Sequence, residues 1–274
     1  MKRLRLACCY AVGSRLHEYH RILQAALDAG YRVCSVGQSL EALDAGVQQL
    51  FVLRHDVDQL SPGVIGMADV EAQLRVFSTY YFRLSTLART DVVHVKGLGH
   101  EVGFHYETIA DYALESGIRD RALLESAEHL QLCARRLEHD LLWFRATAGV
   151  PCRTLASHGA PLNRVLSLSN RVLFDSDAEL AGRLGVLEVY DPGYLGHFDR
   201  YISDTQWEIN DGFRYGVHPL RAIAAREERI IMLTHPNHWD FTWRTRARRT
   251  AKSLLLGQRV DRSSFAEADR LRRR

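Results

Sequence analysis

Two aspartates at alternate positions follow an apolar segment in the stretch LRHDVDQL, residues 53–60. If the segment is a strand, Asp56 and Asp58 point to the same side, with Cα atoms roughly 6–7 Å apart. Carboxylates this close repel each other unless a positive group lies beside them, and a divalent metal is such a group. The other interpretation is a turn in which Asp58 caps a helix that begins near Ser61. The pattern alone leaves both open, whereas His55 points the opposite way and is interpreted as structural.

Three later segments place histidines at the ends of strand-like runs. GHEVGFHYET, residues 99–108, puts His105 and Glu107 on one face. ASHGAP contains His158, and LTHPNHW puts His235 directly after the apolar run RIIML. Imidazole and carboxylate ligands suit zinc or another first-row divalent ion. His235 suits a general acid because an unperturbed histidine titrates near a pH of about 6.5, although its position before Pro236 is also typical of a strand end.

Amphipathic helices alternate with apolar strands along the chain. RLHEYHRILQAALDAG predicts a helix that stops at Gly30, Ser61 and Pro62 open another, and a long helix covers roughly 119–140. The predicted strands are YRVCSVG, QLFVLRHDVD, STYYFRL, GHEVGFHYE, LLWFRATA, RTLASHG and RIIMLTHP. This alternation predicts a parallel sheet, either open or closed into a barrel. Active sites of such folds lie at the carboxyl ends of the strands, which is where the acids and histidines fall.

The composition is that of a folded protein of 274 residues, 46% of them hydrophobic. Five cysteines, an odd number with no CxxC pair, predict reduced thiols and a cytoplasmic protein. No run approaches about 18 apolar residues and no export signal is evident, so we expect no membrane span. Residues 244–274 carry 11 Lys or Arg against 3 Asp or Glu, which predicts a basic tail after a domain of residues 1–243. The only feature that supports nucleic-acid binding by this tail is its charge, and no nucleic-acid-binding motif accompanies it. Nucleic acid is therefore not an expected partner.

Six stretches, taken in order, resemble the polysaccharide deacetylases of carbohydrate esterase family four. They are LRHDVD, STYYFRL, GHEVGFHYE, SHGAPLN, YISDTQW and IMLTHPNHW, and they span roughly residues 50–240. The chain looks like the divergent branch found among surface-polysaccharide biosynthesis enzymes. The resemblance implies an α/β fold, a single-domain distorted (β/α) barrel with about seven parallel strands. It also implies metal-dependent hydrolysis of an N-acetyl group, or less often an O-acetyl group, on a sugar.

The resemblance also implies roles for individual residues. Carried over by position, Asp56 is the general base and Asp58 is a metal ligand. His105 matches the first metal histidine, and His235 matches the late histidine that protonates the leaving amine. The implied cofactor is a divalent metal, with zinc preferred and manganese, cobalt and nickel as alternatives.

One expected metal ligand is missing from the sequence. The family's second ligand histidine falls at Ile109, whose side chain cannot bind a metal. A third ligand must therefore come from elsewhere, and the candidates are His158 and Glu107. His158 is preferred because imidazole is the commonest protein metal ligand.

Three further residues are candidates for binding the sugar. Arg145, in WFRATAGVP, matches the family's third motif, although Ala146 stands where proline would follow. In SDTQW, Trp207 is suited to stacking on a sugar face and Asp204 to binding hydroxyl groups. The alternative for Asp204 and Trp207 is packing within a loop.

The function predicted from the sequence is removal of the acetyl group from an N-acetylated sugar, in a polysaccharide or a cytoplasmic glycan precursor. Two alternatives stay open. The same site would serve an amidase that acts on another small amide. The missing histidine favours instead an inactive deacetylase-like domain that binds a glycan or a partner protein.

Overall fold

The computed structural model describes residues 14–205, 213, 217–240, 242–245, 247–248 and 251. Its strands are β1 (Arg32–Cys34), β2 (Leu50–Val57), β3 (Thr79–Phe82), β4 (Glu101–Tyr106), β5 (Thr154–Ser157), β6 (Leu187–Glu188), β7 (Arg200–Ser203) and β8 (Arg229–Thr234). The longer helices are α1 (Leu16–Asp28), α2 (Val36–Asp44), α3 (Gly63–Gln73), α4 (Arg89–Gly97), α5 (Thr108–Ser116) and α7 (Ala127–Ala148). The shorter helices are α6 (Arg121–Leu124), α8 (Pro161–Leu166), α9 (Val172–Ser176), α10 (Leu180–Leu184), α11 (Pro192–Leu195) and α12 (Pro219–Ala224). Two short 3₁₀ segments cover Leu84–Thr86 and Pro236–His238.

The strands follow the order β6-β5-β4-β3-β2-β8-β7, and β1 pairs with the first half of β2. β2 runs parallel to β3 on one side and to β8 on the other, with His55 opposite Thr234 in the register. β7 runs parallel to β8, and β5 runs parallel to β4 and β6. Parallel strands connected by helices make this an α/β half-barrel, which confirms the predicted fold class.

Contacts divide the chain into two units. The first consists of the described residues within 1–82, 86–102 and 195–260, and the second of those within 83–85 and 103–194. In the first unit, α1 buries Tyr19, Ile22, Leu23 and Ala26. These side chains pack with Phe51 and Leu53 of β2, with Ile230 and Met232 of β8, and with Trp239. The spacing of the buried residues on α1 is the helical one that the sequence predicts.

In the second unit the main packing element is α7. It buries Leu137, Leu141 and Phe144, and the Phe144 ring stacks on Phe104 of β4 at 5.0 Å between ring centroids. The prediction of a strand at LLWFRATA is wrong, because those residues form the last turns of α7. The buried positions there are three or four residues apart, which is a helical rather than a strand repeat.

One other helix boundary differs from the sequence prediction. The helix expected over 119–140 is two helices, α6 and α7, separated at Glu125 and Ser126. The basic tail falls almost entirely outside the described residues. Across the part of the chain that the structure describes, every helix is either too short or too polar to span a bilayer.

Candidate functional site

In the first unit, β2 carries both aspartates of the HDVD stretch to its carboxyl end. Asp56 is 2% exposed, and its carboxylate pairs with Arg54 two residues earlier on the same face of the strand. Arg54 Nη2 lies 2.9 Å from Oδ1 and 2.8 Å from Oδ2 of Asp56, and Arg54 itself is fully buried. The pair fixes the orientation of the Asp56 carboxylate, since Nη2 contacts both of its oxygens and Nε also donates to Oδ1 at 3.3 Å.

Asp204 and His235 lie next to each other because β7 and β8 are parallel neighbours that end at the same edge. Asp204 Oδ1 accepts a hydrogen bond from His235 Nδ1 at 2.6 Å, and Oδ2 accepts one from the His235 main-chain N–H at 2.9 Å. Oδ2 also accepts from the Trp239 indole at 2.9 Å. Asp204 is 0% exposed and orients the imidazole of His235. Its predicted contact with sugar hydroxyls stays a prediction.

The charges around His235 favour its protonated form. Burial alone would lower the pKa of the His235 imidazole, but the carboxylates of Asp204, Asp58 and Asp56 outweigh it and raise the pKa to about 10. Burial raises the pKa of the Asp204 carboxyl, but the neighbouring His238 and His235 outweigh it and hold that pKa well below its usual range. With Nδ1 directed at Asp204, the other ring nitrogen, Nε2, lies 3.6 Å from Asp58 Oδ2. At neutral pH the imidazolium can thus present a proton on the side of Asp58.

A second histidine lies against the same carboxylate. His238 Nδ1 is 3.2 Å from Asp204 Oδ2, at ion-pair distance but without the alignment of a hydrogen bond, and its ring centroid is 5.2 Å from that of His235. One potential ligand atom from each of Asp204, His235 and His238 lies within 4.8 Å of the others, so the trio could hold a metal. A metal on His235 Nδ1 would have to displace the hydrogen bond of 2.6 Å to Asp204. The geometry favours proton transfer at this trio.

In the second unit, His105 and His158 lie side by side, with ring centroids 4.9 Å apart. His105 Nδ1 donates to the carbonyl oxygen of Ala156 at 2.9 Å, and His158 Nδ1 donates to Glu107 Oε1 at 2.7 Å. An acceptor at Nδ1 places the proton there, so the lone pair of each neutral ring is on Nε2. This is the tautomer in which an imidazole binds a metal through Nε2.

The two alternatives for the third ligand, Glu107 and His158, are thus in contact with each other. The Glu107 carboxylate also accepts two hydrogen bonds from Arg83, Nε to Oε2 at 2.6 Å and Nη2 to Oε1 at 2.9 Å. Burial raises the pKa of Glu107, but the bonds and charges of His158 and Arg83 outweigh it and leave the pKa lowered. Glu107 is therefore an anionic partner of His158, and the imidazole is better placed to act as a ligand.

Arg145, a predicted sugar-binding residue, does not join His105 and His158. Arg145 lies near the end of α7, and its guanidinium donates to the carbonyl oxygens of Pro151, Cys152 and Leu184. Pro151 and Cys152 precede β5, whereas His158 follows it, so Arg145 and His158 lie at opposite ends of this strand. Trp207 lies outside the described residues.

His55 belongs to a buried network on the other face of β2. Its Nδ1 lies 2.6 Å from Thr234 Oγ1, and its Nε2 lies 2.7 Å from Glu71 Oε1. Tyr19 and Tyr80 donate to the same carboxylate, and Glu71 is fully buried. The network ties α1, α3 and β3 to the strands that carry Asp56 and His235, in agreement with a structural role for His55.

The sequence interpretation missed Arg54, Glu71 and His238. A signal existed for Arg54, since it shares the strand face of Asp56 two residues away. His238 was visible in LTHPNHW but had no assigned role. No local pattern marks Glu71 as a partner of His55, because the two are brought together only by the packing of α3 on the sheet.

The chain is similar to a solved structure but matches no family model or curated protein. No protein-family model matches the chain, and no curated protein matches it. A solved structure described as a mutant CE4 family pseudoenzyme with restored enzymatic activity is similar at a TM-score of 0.44 and 12% sequence identity. The alignment covers 81% of this chain and 63% of the chain in that structure.

Proposed function

We propose that the protein is a metal-dependent hydrolase that removes the acetyl group from an N-acetylated sugar. The observation that carries the proposal is the Asp204–His235 pair. It holds an imidazole protonated at neutral pH, with Nε2 facing the carboxylate of Asp58. A positioned proton donor beside a strand-end carboxylate is what the cleavage of an amide requires, because the amine must be protonated to leave.

The donor groups fit a divalent metal. We propose Asp58, His105 and His158 as its ligands, with zinc the ion best suited to one carboxylate and two imidazoles. The hydrogen bonds at Nδ1 of both histidines support this choice, because they leave the lone pairs on Nε2. When bound, such an ion polarises a carbonyl group and makes water nucleophilic near neutral pH.

The remaining steps belong to side chains of this chain. Asp56, fixed by Arg54, takes the proton of the attacking water. His235 donates its Nε2 proton to the sugar nitrogen, so that the C–N bond breaks and acetate and the free amino sugar are formed. Asp204 keeps the His235 ring oriented and stabilises its charged form until that proton is transferred. Arg145 and Trp207 remain predictions as sugar contacts, and a cytoplasmic glycan precursor is the proposed substrate on the basis of cysteine usage.

The test combines metal content with acetate release. The protein is purified without a metal-affinity tag and its metal is measured in the wild type, Asp58→Asn and His158→Ala. We expect a near-stoichiometric divalent metal in the wild type and its loss in both variants. Acetate release is then measured on N-acetylated sugars and, to separate out a general amidase, on N-acetylated amino acids.

The matched variants for the chemical step are Asp56→Asn and His235→Gln, which leave the proposed ligands in place. We expect both to bind metal and to lose at least about 100-fold in rate, the usual contribution of a general acid or base. The absence of metal from the wild type after incubation with zinc, manganese and cobalt would overturn the hydrolase proposal. Metal binding without acetate release from any sugar would favour a binding domain.

A further inference from the structure

Glu107 is the centre of a chain of hydrogen bonds that ends on His158. The carboxylate accepts two N–H groups of Arg83 and one of His158, at distances between 2.6 and 2.9 Å. The side chains of Glu107 and His158 are each 12% exposed, so solvent has little access to these bonds. Arg83 approaches the carboxylate with two nitrogens, which restricts its rotation.

The backbone of His158 is fixed as firmly as its ring. Its N–H donates to the Tyr106 carbonyl oxygen at 3.0 Å, and its carbonyl oxygen accepts from Asn170 Nδ2 at 2.7 Å. Asn170 Oδ1 in turn accepts from the main-chain N–H groups of Ile109 and Ala110 in the first turn of α5. His158 is therefore held from both ends, and its ring orientation is set by Glu107.

The two histidines of this unit differ in what holds Nδ1. His105 donates to a neutral carbonyl oxygen, whereas His158 donates to a carboxylate. A carboxylate partner increases the electron density that the ring offers at Nε2, and removal of such a partner weakens metal binding by about 10- to 100-fold. Because both oxygens of Glu107 accept hydrogen bonds from Arg83 or His158, Glu107 is placed to orient His158.

We propose that Glu107 and Arg83 are positioning residues for a divalent metal: Glu107 orients and strengthens His158 as a ligand, and Arg83 holds Glu107 in place. The inference rests on the proposed function, since it needs His158 to bind the metal. Of the two alternatives for the third ligand, His158 then binds the metal directly, and Glu107 acts on the metal only through its hydrogen bond to His158.

The test is the affinity of the full-length protein for zinc, measured at one pH by competition with a chromophoric chelator. Compared with the wild type, we expect Glu107→Ala to bind about 10- to 100-fold more weakly. Glu107→Gln keeps a hydrogen-bond acceptor without the charge, so its zinc affinity should lie between those of the wild type and Glu107→Ala. Arg83→Met should weaken binding by a smaller factor than Glu107→Ala. The matched control is Glu115→Ala, which removes an exposed acid of α5 that pairs with Arg136 and should leave the affinity unchanged.

A second measurement separates positioning from direct binding. The protein is saturated with cobalt, whose visible absorption depends on the ligands. Glu107→Gln should keep the wild-type band positions, and His158→Ala should shift them. Unchanged zinc affinity in Glu107→Ala, or a cobalt spectrum of Glu107→Gln that matches that of His158→Ala, would overturn the inference. A wild type that binds no metal would instead overturn the proposed function, so the two failures are distinct. Thermal unfolding with EDTA present checks that every variant is folded.

Discussion

The side chains proposed to do the chemistry could be identified one by one from the sequence, whereas the partner of His235 could not. Asp56, Asp58 and His235 each follow an apolar strand, and the sequence marks such positions as site candidates. The role of Asp204 could not be predicted, because its hydrogen bond to His235 joins residues 31 positions apart. Such contacts depend on which strands are neighbours, and residue spacing carries no information about that.

At the residue scale we predict a pH dependence of stability for the protein without metal. The pKa of His235 is raised to about 10 in the folded state, against about 6.5 in the unfolded chain. A raised pKa adds stability that is complete below about pH 6.5 and is lost as the pH rises towards 10. The free energy of unfolding, measured with urea in EDTA, should therefore fall between pH 7 and pH 9.5.

The comparison for this prediction is Asp204→Asn, which removes the main charge that raises the pKa of His235. The variant is expected to be less stable at pH 7 and to show a shallower decline with pH. Parallel pH profiles of the two proteins would show that the pair does not contribute in this way. Comparing slopes cancels the titration of other groups that the two proteins share.

At the scale of elements, hydrophobic periodicity predicted α1, β2 and β8 well. It failed at LLWFRATA, because four consecutive large apolar residues fit a buried strand as well as a buried helix. The length of α7 decides the case, since its buried face continues without interruption from Cys133 to Ala148. The turn between α6 and α7 was also missed, as Glu125 and Ser126 are common in helices and at helix ends alike.

The start of α3 is packed so closely that only glycine fits there. A Cβ atom at Gly63 would lie 2.1 Å from the main-chain oxygen of Pro236, in the segment directly after His235. Gly63→Ala should therefore destabilise the protein by about 1–3 kcal/mol and move this segment, with a loss of acetate release. Gly97→Ala, in α4 with open space around the added methyl group, should be neutral or slightly stabilising. Urea unfolding of both variants checks this, and equal stabilities would contradict it.

At the scale of the whole molecule, the sequence predicted the parallel α/β class but not the order of the strands. β8, the last described strand, pairs with β2, and the two carry His235 and Asp56. This pairing joins elements about 180 residues apart, so local patterns could only indicate that both strands are buried. The resemblance to a known family supplied the expectation that their ends form one site.

Metal binding should also be visible in the stability of the full chain. A ligand that binds only the folded state adds about 2.7 kcal/mol when its free concentration is 100 times its dissociation constant. Zinc should therefore raise the unfolding temperature of the wild type by about 5 °C or more relative to EDTA. The same addition should leave His158→Ala nearly unchanged, and an equal rise in both proteins would point to zinc bound elsewhere.

Trp239 is fully buried, and its indole N–H donates to the carboxylate that also holds His235. The other described tryptophans, Trp143 and Trp243, are exposed to solvent. Light emission from a buried indole shifts in wavelength when a charge beside it changes, whereas quenchers dissolved in water reach only exposed rings. The molecule therefore contains its own optical probe of the Asp204–His235 pair. With Trp143 and Trp243 quenched and Trp207 replaced by phenylalanine, the wavelength of the remaining fluorescence follows protonation of this pair without any added label.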